Sequence, residues 1–182
     1  MRCSALDYVI FRPHNVYGER QNIGDRYRNV VGIFMNQIMQ GLPMTIFGDG
    51  QQTRAFTYIQ DVAPIIAGAP FNAKALNNVF NIGADTPYTV NDLARVVAKA
   101  MGTDAKITYL DARNEVLHAF SSHKRLEEVF GLAAKVSLED GVERMARWAR
   151  TVGARRSKPF NGIEITKNMP KSWLEELVSA GS

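Results

Sequence analysis

Residues 8–18 read Tyr8-Val9-Ile10-Phe11-Arg12-Pro13-His14-Asn15-Val16-Tyr17-Gly18. The short apolar run ending at Arg12-Pro13 fits a strand buried on both faces, as in a parallel sheet, and Pro13 is expected to stop it. Val79-Phe80-Asn81-Ile82-Gly83 reads as a second buried strand, ended by glycine. Short strands and helices alternate along the chain with no internal repeat and no low-complexity stretch, which is the grammar of an α/β fold.

Working outward, Val30 to Gln40 is amphipathic: Val30, Ile33, Phe34, Gln37 and Ile38 recur at helical spacing, and Gly41 supplies the stop. Met44 to Phe47 and Thr53 to Ile59 are β-rich and flank Gly48-Asp49-Gly50, which predicts a hairpin turned at Asp-Gly. Asp61 is expected to cap a helix through about Ala69. Thr89 and Asp92 form a capping box, opening a helix with Val90, Leu93, Val96, Val97 and Met101 on one face before Gly102. Ile107 to Leu110 is a short strand, and Ser122 opens a helix through Phe130. Ser137 and Asp140 begin a helix that carries Val142, Met145 and Trp148 inward. A basic, irregular tail over Gly153 to Pro170 follows, then a short amphipathic helix led by Trp173 and Leu174.

The 182 residues, 46% hydrophobic with mixed charge, suffice for one sizeable domain with a buried core. Cys3 is the only cysteine, so no internal disulfide framework is expected, and no apolar run approaches the length needed for a bilayer span or secretion. A cytoplasmic protein without a membrane partner is the default expectation. Much of the net charge of +4 lies between Arg144 and Lys158, which reads as a solvated helix face and tail rather than a nucleic-acid surface. A diphosphate site needs only one or two cations.

Four places carry chemistry. Period-two alternation puts Arg54, Phe56 and Tyr58 on one strand face and Ala55, Thr57 and Ile59 on the other. Arg54 could hold a phosphate through its planar fork while Phe56 covers the ligand; the alternative is an arginine paired with an acid such as Asp61. In Asp111-Ala112-Arg113-Asn114-Glu115-Val116, a polar loop between a strand and a helix, Arg113 could be a second cation and Glu115 an acceptor for ribose hydroxyls; the alternative is a surface ion pair. Asn15 follows the first strand, where ligands bind in open α/β sheets, or it shapes its own turn. Thr45-Ile46-Phe47 offers backbone groups along an exposed strand for a flat base, or Phe47 simply packs in the core.

Taken together, FRPHNVYG (11–18), GDGQQTRAFTYIQDVA (48–63), NVFNIGAD (78–85), DARNEVLHAFSSHKRLEEVFG (111–131) and MPKSW (169–173) resemble the carboxyl-terminal part of the extended short-chain dehydrogenase/reductase family, specifically UDP-glucose 4-epimerase and its close relatives. The resemblance implies that Asn15 contacts the nucleotide-sugar phosphate and that Asn29 to Val31 open a helix beneath it. It places Thr45 and Phe47 at uracil, Arg54 and Arg113 on the diphosphate, Phe56 at a position that is Tyr or Phe in relatives, and Glu115 at ribose. Pro13 and Val16 would touch the nicotinamide end of NAD. Ala55 departs from the acid found there in many relatives, and Gln60 stands where an acid is common.

In a complete family enzyme a Tyr in Tyr-x-x-x-Lys is the general base and NAD takes and returns a hydride at the sugar C4. No Gly-rich loop opens these residues and no Tyr-x-x-x-Lys lies ahead of Asn15. The expectation is therefore a single module that binds a UDP-sugar, with no catalytic residue, no metal, and no NAD held by this chain alone. Residues 7–18 and 61–102 would be the remnant of a Rossmann sheet, with its last two parallel strands, and 27–59 and 103–182 the substrate-binding lobe. A homo-oligomer or a separate amino-terminal half would cover residues 7–12. The alternatives are a binding, regulatory or interaction module, and a dehydratase or reductase as the parent reaction.

Overall fold

In a computed structural model, the structure describes residues 6–156 apart from 26, 28, 120 and 132–135. The tail beyond 156, with its expected helix at Trp173 and Leu174, lies outside the described residues.

The first strand, β1 (Val9–Pro13), pairs in parallel with β6 (Asn78–Ile82), from Val9 opposite Asn78 to Pro13 opposite Ile82. Pro13 is the last residue of the strand, as its missing N–H requires. The inner face is aromatic. The rings of Phe11 and Phe80 stack 5.7 Å apart, and Phe130 meets Phe80 edge-on at 5.3 Å. Phe130 closes α4 (Lys124–Phe130), and this smaller core is completed by Val62 from α2 (Ile59–Gly68) and by Leu126. Burial on both faces is not realised, because Ile10 remains 47% exposed and, among the described residues, β1 has no strand on its outer edge.

The larger core is built by three helices: α1 (Val30–Met39), α3 (Val90–Ala100) and α5 (Leu138–Val152). Small residues let them approach closely, with Ala94, Ala98, Ala146 and Ala149 buried between larger Phe34, Leu93, Val97, Val142 and Met145. Trp148 is only partly buried at the rim. The capping box of Thr89 and Asp92 forms as expected, and the Ser137 hydroxyl accepts from the Asp140 N–H. Beneath the helices β3 (Met44–Phe47) pairs in parallel with β8 (Ile107–Leu110). Alternation buries Met44 and Ile46 and leaves Thr45 and Phe47 partly exposed.

Several expectations are corrected. There is no hairpin at Asp49-Gly50: β4 (Thr53–Ala55) pairs with β7 (Pro87–Thr89) and β9 (His118–Ala119), not with β3. Gly48 and Gly50 both adopt φ of +74°, and the turn is docked on α3, with the Asn91 N–H donating to the Gly50 carbonyl and the Asn91 amide to that of Asp49. The excursion carries β4 away from β3. The chain then breaks at Phe56 before β5 (Thr57–Tyr58), which pairs with β2 (Val16–Tyr17). Ile59 already begins α2, whose N-cap position is Tyr58 rather than Asp61; Asp61 sits in the first turn and accepts from the Val136 N–H. That helix ends at Gly68 and a 3-10 turn takes Ala69–Phe71. Helix α4 begins at Lys124 after His123, two residues beyond Ser122. Helix α3 packs in the larger core, while α4 covers β1 and β6.

Candidate functional site

A cavity of about 430 Å³ opens where α1 begins, beside β3, β4 and the loop after β8, within the range of small-molecule sites. Its floor is held by two asparagines at positive φ, a conformation asparagine tolerates. Asn15 donates through its amide to the Ala55 carbonyl at 3.0 Å, and its own carbonyl accepts from the Thr57 N–H at 3.1 Å. Asn29 caps α1: its Oδ1 accepts from the Val31 N–H at 3.3 Å and its amide donates to the Val16 carbonyl. The helix thus presents its amino-terminal end, with its favourable dipole for anions, to the cavity. One flank of α1 (Val31, Phe34, Met35) is buried, while Val30, Ile33 and Gln37 line the cavity.

One wall is the free edge of β3. The Met44 and Gly48 N–H groups bond to Lys106 and Leu110 on the β8 side, so alternation turns the backbone groups of Thr45 and Phe47 to the opposite edge. Two glutamines occupy its ends. Gln37 accepts from the Thr45 N–H at 3.1 Å and donates to Thr45 Oγ1 at 2.9 Å, while Gln52 donates to the Phe47 carbonyl at 2.9 Å. The Thr45 carbonyl and the Phe47 N–H lie between them.

The opposite wall is cationic. The Arg113 guanidinium lies 3.2 Å from the centre of the Phe47 ring, a cation–π contact that fixes both groups. Arg54 lines the same cavity, with Phe56 beside it. Its acid partner is Glu115 at 3.1 Å, not Asp61. Both terminal nitrogens of Arg54 are engaged: Nη1 donates to the Thr53 and Leu117 carbonyls at 2.8 and 3.0 Å, and Nη2 to Glu115 and the Val116 carbonyl. Arg54 therefore staples the 115–117 loop to β4, and a phosphate reaching its fork must compete with Glu115. Gln52 also donates to Glu115 Oε1 at 3.3 Å, linking the β3 edge to this ion pair. The loop leads into β9, not directly into a helix.

The structure thus brings Asn15, Asn29, Thr45, Phe47, Arg54, Phe56, Arg113 and Glu115 to one cavity. Val31 is fully buried beneath it. Pro13 is exposed at the end of β1, and Val16 is partly buried against the smaller core, so neither lines the cavity. Tyr58 does not share a face with Arg54: the break at Phe56 turns it into the core, where its hydroxyl donates to Glu19 at 2.6 Å and its pKa is pushed up to about 12 by burial and by that carboxylate. Gln37 and Gln52 are the residues sequence reasoning passed over. The signal for Gln37 was its place in an otherwise apolar helical stripe.

A second cluster was also missed. The His123 Nδ1 lies 2.5 Å from Asp85 Oδ1, its Nε2 3.2 Å from Ser121 Oγ, and the same hydroxyl is 3.5 Å from His14 Nδ1. The two imidazoles stack at 5.0 Å. The order Asp, His, Ser is that of a nucleophilic triad. The void lined by His123 is about 30 Å³, however, room for about one water and for no substrate, so the cluster is a latch between the ends of β1 and β6. Among the described residues no group of three or more His, Cys, Asp or Glu could hold a metal, and no helix is long and apolar enough to cross a membrane.

Comparison with known proteins places these features. The family model described as the NAD dependent epimerase/dehydratase family matches residues 2–83. A Methanocaldococcus jannaschii protein carrying the provisional name of a UDP-glucose 4-epimerase is 32% identical over 153 residues, 82% of this chain and 48% of its own length. The UDP-N-acetyl-alpha-D-glucosaminuronate decarboxylase of Bacillus cytotoxicus is 27% identical over 155 residues, 81% of this chain and 48% of its own. Among solved structures, UDP-glucose 4-epimerase of Thermotoga maritima, crystallised with UDP-glucose, is similar with a TM-score of 0.72 and 33% identity over 81% of this chain and 47% of that one. The chain spans about half the length of the curated relatives it matches, and its α/β fold corresponds to about half of the solved epimerase.

Proposed function

The chain belongs to the NAD-dependent epimerase/dehydratase family, and from that premise we propose that it is the carboxyl-terminal, substrate-binding part of a UDP-sugar 4-epimerase, holding the nucleoside diphosphate in the cavity beside β3. The observation that carries this reading is the convergence of Arg113, stacked on Phe47, and Arg54 on one cavity, at the amino-terminal end of α1. The diphosphate lies between the two guanidinium groups, with Asn15 and Asn29 beside it and the base along the free edge of β3. Binding displaces Glu115 from Arg54 and releases its carboxylate to accept from the ribose hydroxyls.

Named relatives include a decarboxylase as well as 4-epimerases. The part assigned to this chain is what such reactions share, the positioning of a UDP-sugar. NAD, where a family enzyme holds it, supplies the hydride acceptor. The residues here do not hold that group on their own: the Val16 carbonyl is taken by Asn29, and the sequence given carries no Gly-rich loop or Tyr-x-x-x-Lys. No proton or hydride step is assigned to them, and residues 1–182 alone bind substrate without turning it over.

Calorimetric titration tests the proposal. UDP and UDP-glucose are expected to bind, and Arg113→Ala to weaken both by about ten- to a hundredfold, on the order of 1.5–3 kcal/mol for hydrogen bonds to a charged group. Absence of UDP binding to the wild-type chain contradicts the proposal. Addition of an amino-terminal half carrying the Gly-rich loop and Tyr-x-x-x-Lys is expected to give 4-epimerase activity.

A further inference from the structure

We propose that the latch of Asp85, His123, Ser121 and His14 is a positioning device for the ligand cavity, closed while His14 is uncharged and opened when it takes a proton, so that affinity for a UDP-sugar falls on acidification. The inference rests on the function proposed above and gives that site a control from outside the cavity, since none of the four residues lines it.

The hydrogen bonds of the latch run in one direction. A carboxylate only accepts, so the proton between Asp85 and His123 is on His123 Nδ1, and His123 Nε2 is left to accept from the Ser121 hydroxyl at 3.2 Å. Ser121 Oγ, its one proton spent, accepts from His14 Nδ1 at 3.5 Å. The remaining nitrogen, His14 Nε2, is buried without a hydrogen-bond partner among the described residues, against Gly83, where a Cβ would collide with it. A further proton on this ring must go there. It would place a buried charge beside the His123 ring, stacked 5.0 Å away. Burial, and then His123, accordingly hold the His14 pKa below the ordinary value, with the Ala84 backbone and Asp85 opposing in part. The other ionisable groups around the latch, Asp61 on α2 and Glu127 on α4, line the small void on the His123 side.

Both ends of the latch lead to the cavity. His14 precedes Asn15, and its carbonyl accepts from Thr57 Oγ1 at 3.3 Å, the atom that also accepts from the Ala84 N–H at 2.8 Å. Asn15 is in turn bonded to Ala55 and Thr57 and lines the cavity. At the other end Ser121 follows β9, whose Ala119 is paired with Arg54. Moving the His14 ring out therefore loosens the Asn15 turn and the strand beside Arg54 together. The closed form binds fewer protons than the open one, so it is favoured above about pH 6.5 and declines as pH falls through that value. By reciprocity, ligand binding near about pH 6 releases protons.

The test is calorimetric titration of the full chain with UDP-glucose between about pH 7.5 and 5.5, because the terminal phosphate of UDP itself titrates near pH 6. Wild-type affinity is expected to fall by about three- to tenfold over this range, one proton being worth at most about tenfold per pH unit. His14→Phe keeps a flat ring that cannot titrate and is expected to flatten the profile to within about twofold. If circular dichroism shows that variant unfolded, His14→Gln is read in its place, with the same expectation. His118→Gln, which removes the exposed histidine bonded to Thr53, is expected to keep the wild-type slope. The slope is the readout because a merely structural loss lowers affinity at every pH alike. A wild-type profile without a fall, or an equal fall in the folded His14 variant, overturns the inference and leaves the binding function standing. Wild type that binds no UDP-glucose even at the upper end of the range removes the function on which the inference rests.

Discussion

Arg54 shows how a side chain can be legible in kind and illegible in partner. Its position beside a Gly-rich turn and an aromatic residue marks it as a candidate anion ligand, and it does line the cavity. Its acid, Glu115, lies 61 residues further on, and no local pattern connects the two. Because the fork bridges three carbonyls as well as Glu115, lysine is a poor substitute: a point charge cannot hold Thr53, Val116 and Leu117 together. Arg54→Lys is expected to weaken UDP by roughly tenfold or more and to raise amide hydrogen exchange at 115–117. Wild-type protection there would contradict the stapling role. His14 makes a second prediction. Burial, and then the nearby His123, hold its pKa below the ordinary histidine value, with Asp85 opposing. The unfolded chain therefore binds this proton more readily, so the contribution to stability is fully present above about pH 6.5 and declines as pH falls through that value. His14→Phe keeps a flat ring and removes the titration, and its stability is expected to fall less than that of wild type between pH 7 and 5; an identical slope refutes it.

At the scale of elements, the sequence is read well where the determinants are neighbours. Thr89 and Asp92 are three residues apart, and their reciprocal cap forms as the spacing requires, with the carboxyl pKa lowered chiefly by the Thr89 hydroxyl. Thr89→Ala is expected to cost about 1 kcal/mol in denaturant unfolding, without change in the slope. Strand pairing is different. The Gly48-Asp49-Gly50 turn is present, but the partners of the flanking strands are β8, β7 and β9, and no residue in the turn encodes them. The same limit hid the free edge of β3, which is defined by which side β8 takes. Residues 36 and 155 give another long-range link: buried Asn36 accepts from the Arg155 N–H at 2.8 Å and donates to its carbonyl at 2.9 Å, tying the end of α5 to α1. Asn36→Leu leaves both backbone groups without that partner, and a loss of about 1–3 kcal/mol is expected.

At the scale of the molecule, two cores meet where β2 and β5 pair, and the cavity lies on the side of the larger one. The smaller core ends at β1, where Ile10 is 47% exposed, with Leu6 and Tyr8 exposed just ahead of the strand at 88% and 49%. Unpaired strand edges with apolar side chains promote association. Sedimentation is expected to show concentration-dependent association of this chain that Ile10→Lys weakens; a wild-type monomer at high concentration contradicts this. The alternating pattern of strands and helices made the α/β class readable, and short motifs such as residues 11–18, 48–63 and 111–131 pointed to residues that line the cavity, because both are carried by short segments. The division of helices between the cores was not, because it depends on which faces meet after the chain has closed. The most direct test of the whole is a crystal structure of the chain with UDP. The diphosphate is expected between Arg54 and Arg113, with Glu115 moved off Arg54 and the base along Thr45 and Phe47. UDP bound elsewhere, with the Arg54 and Glu115 pair intact, would contradict it.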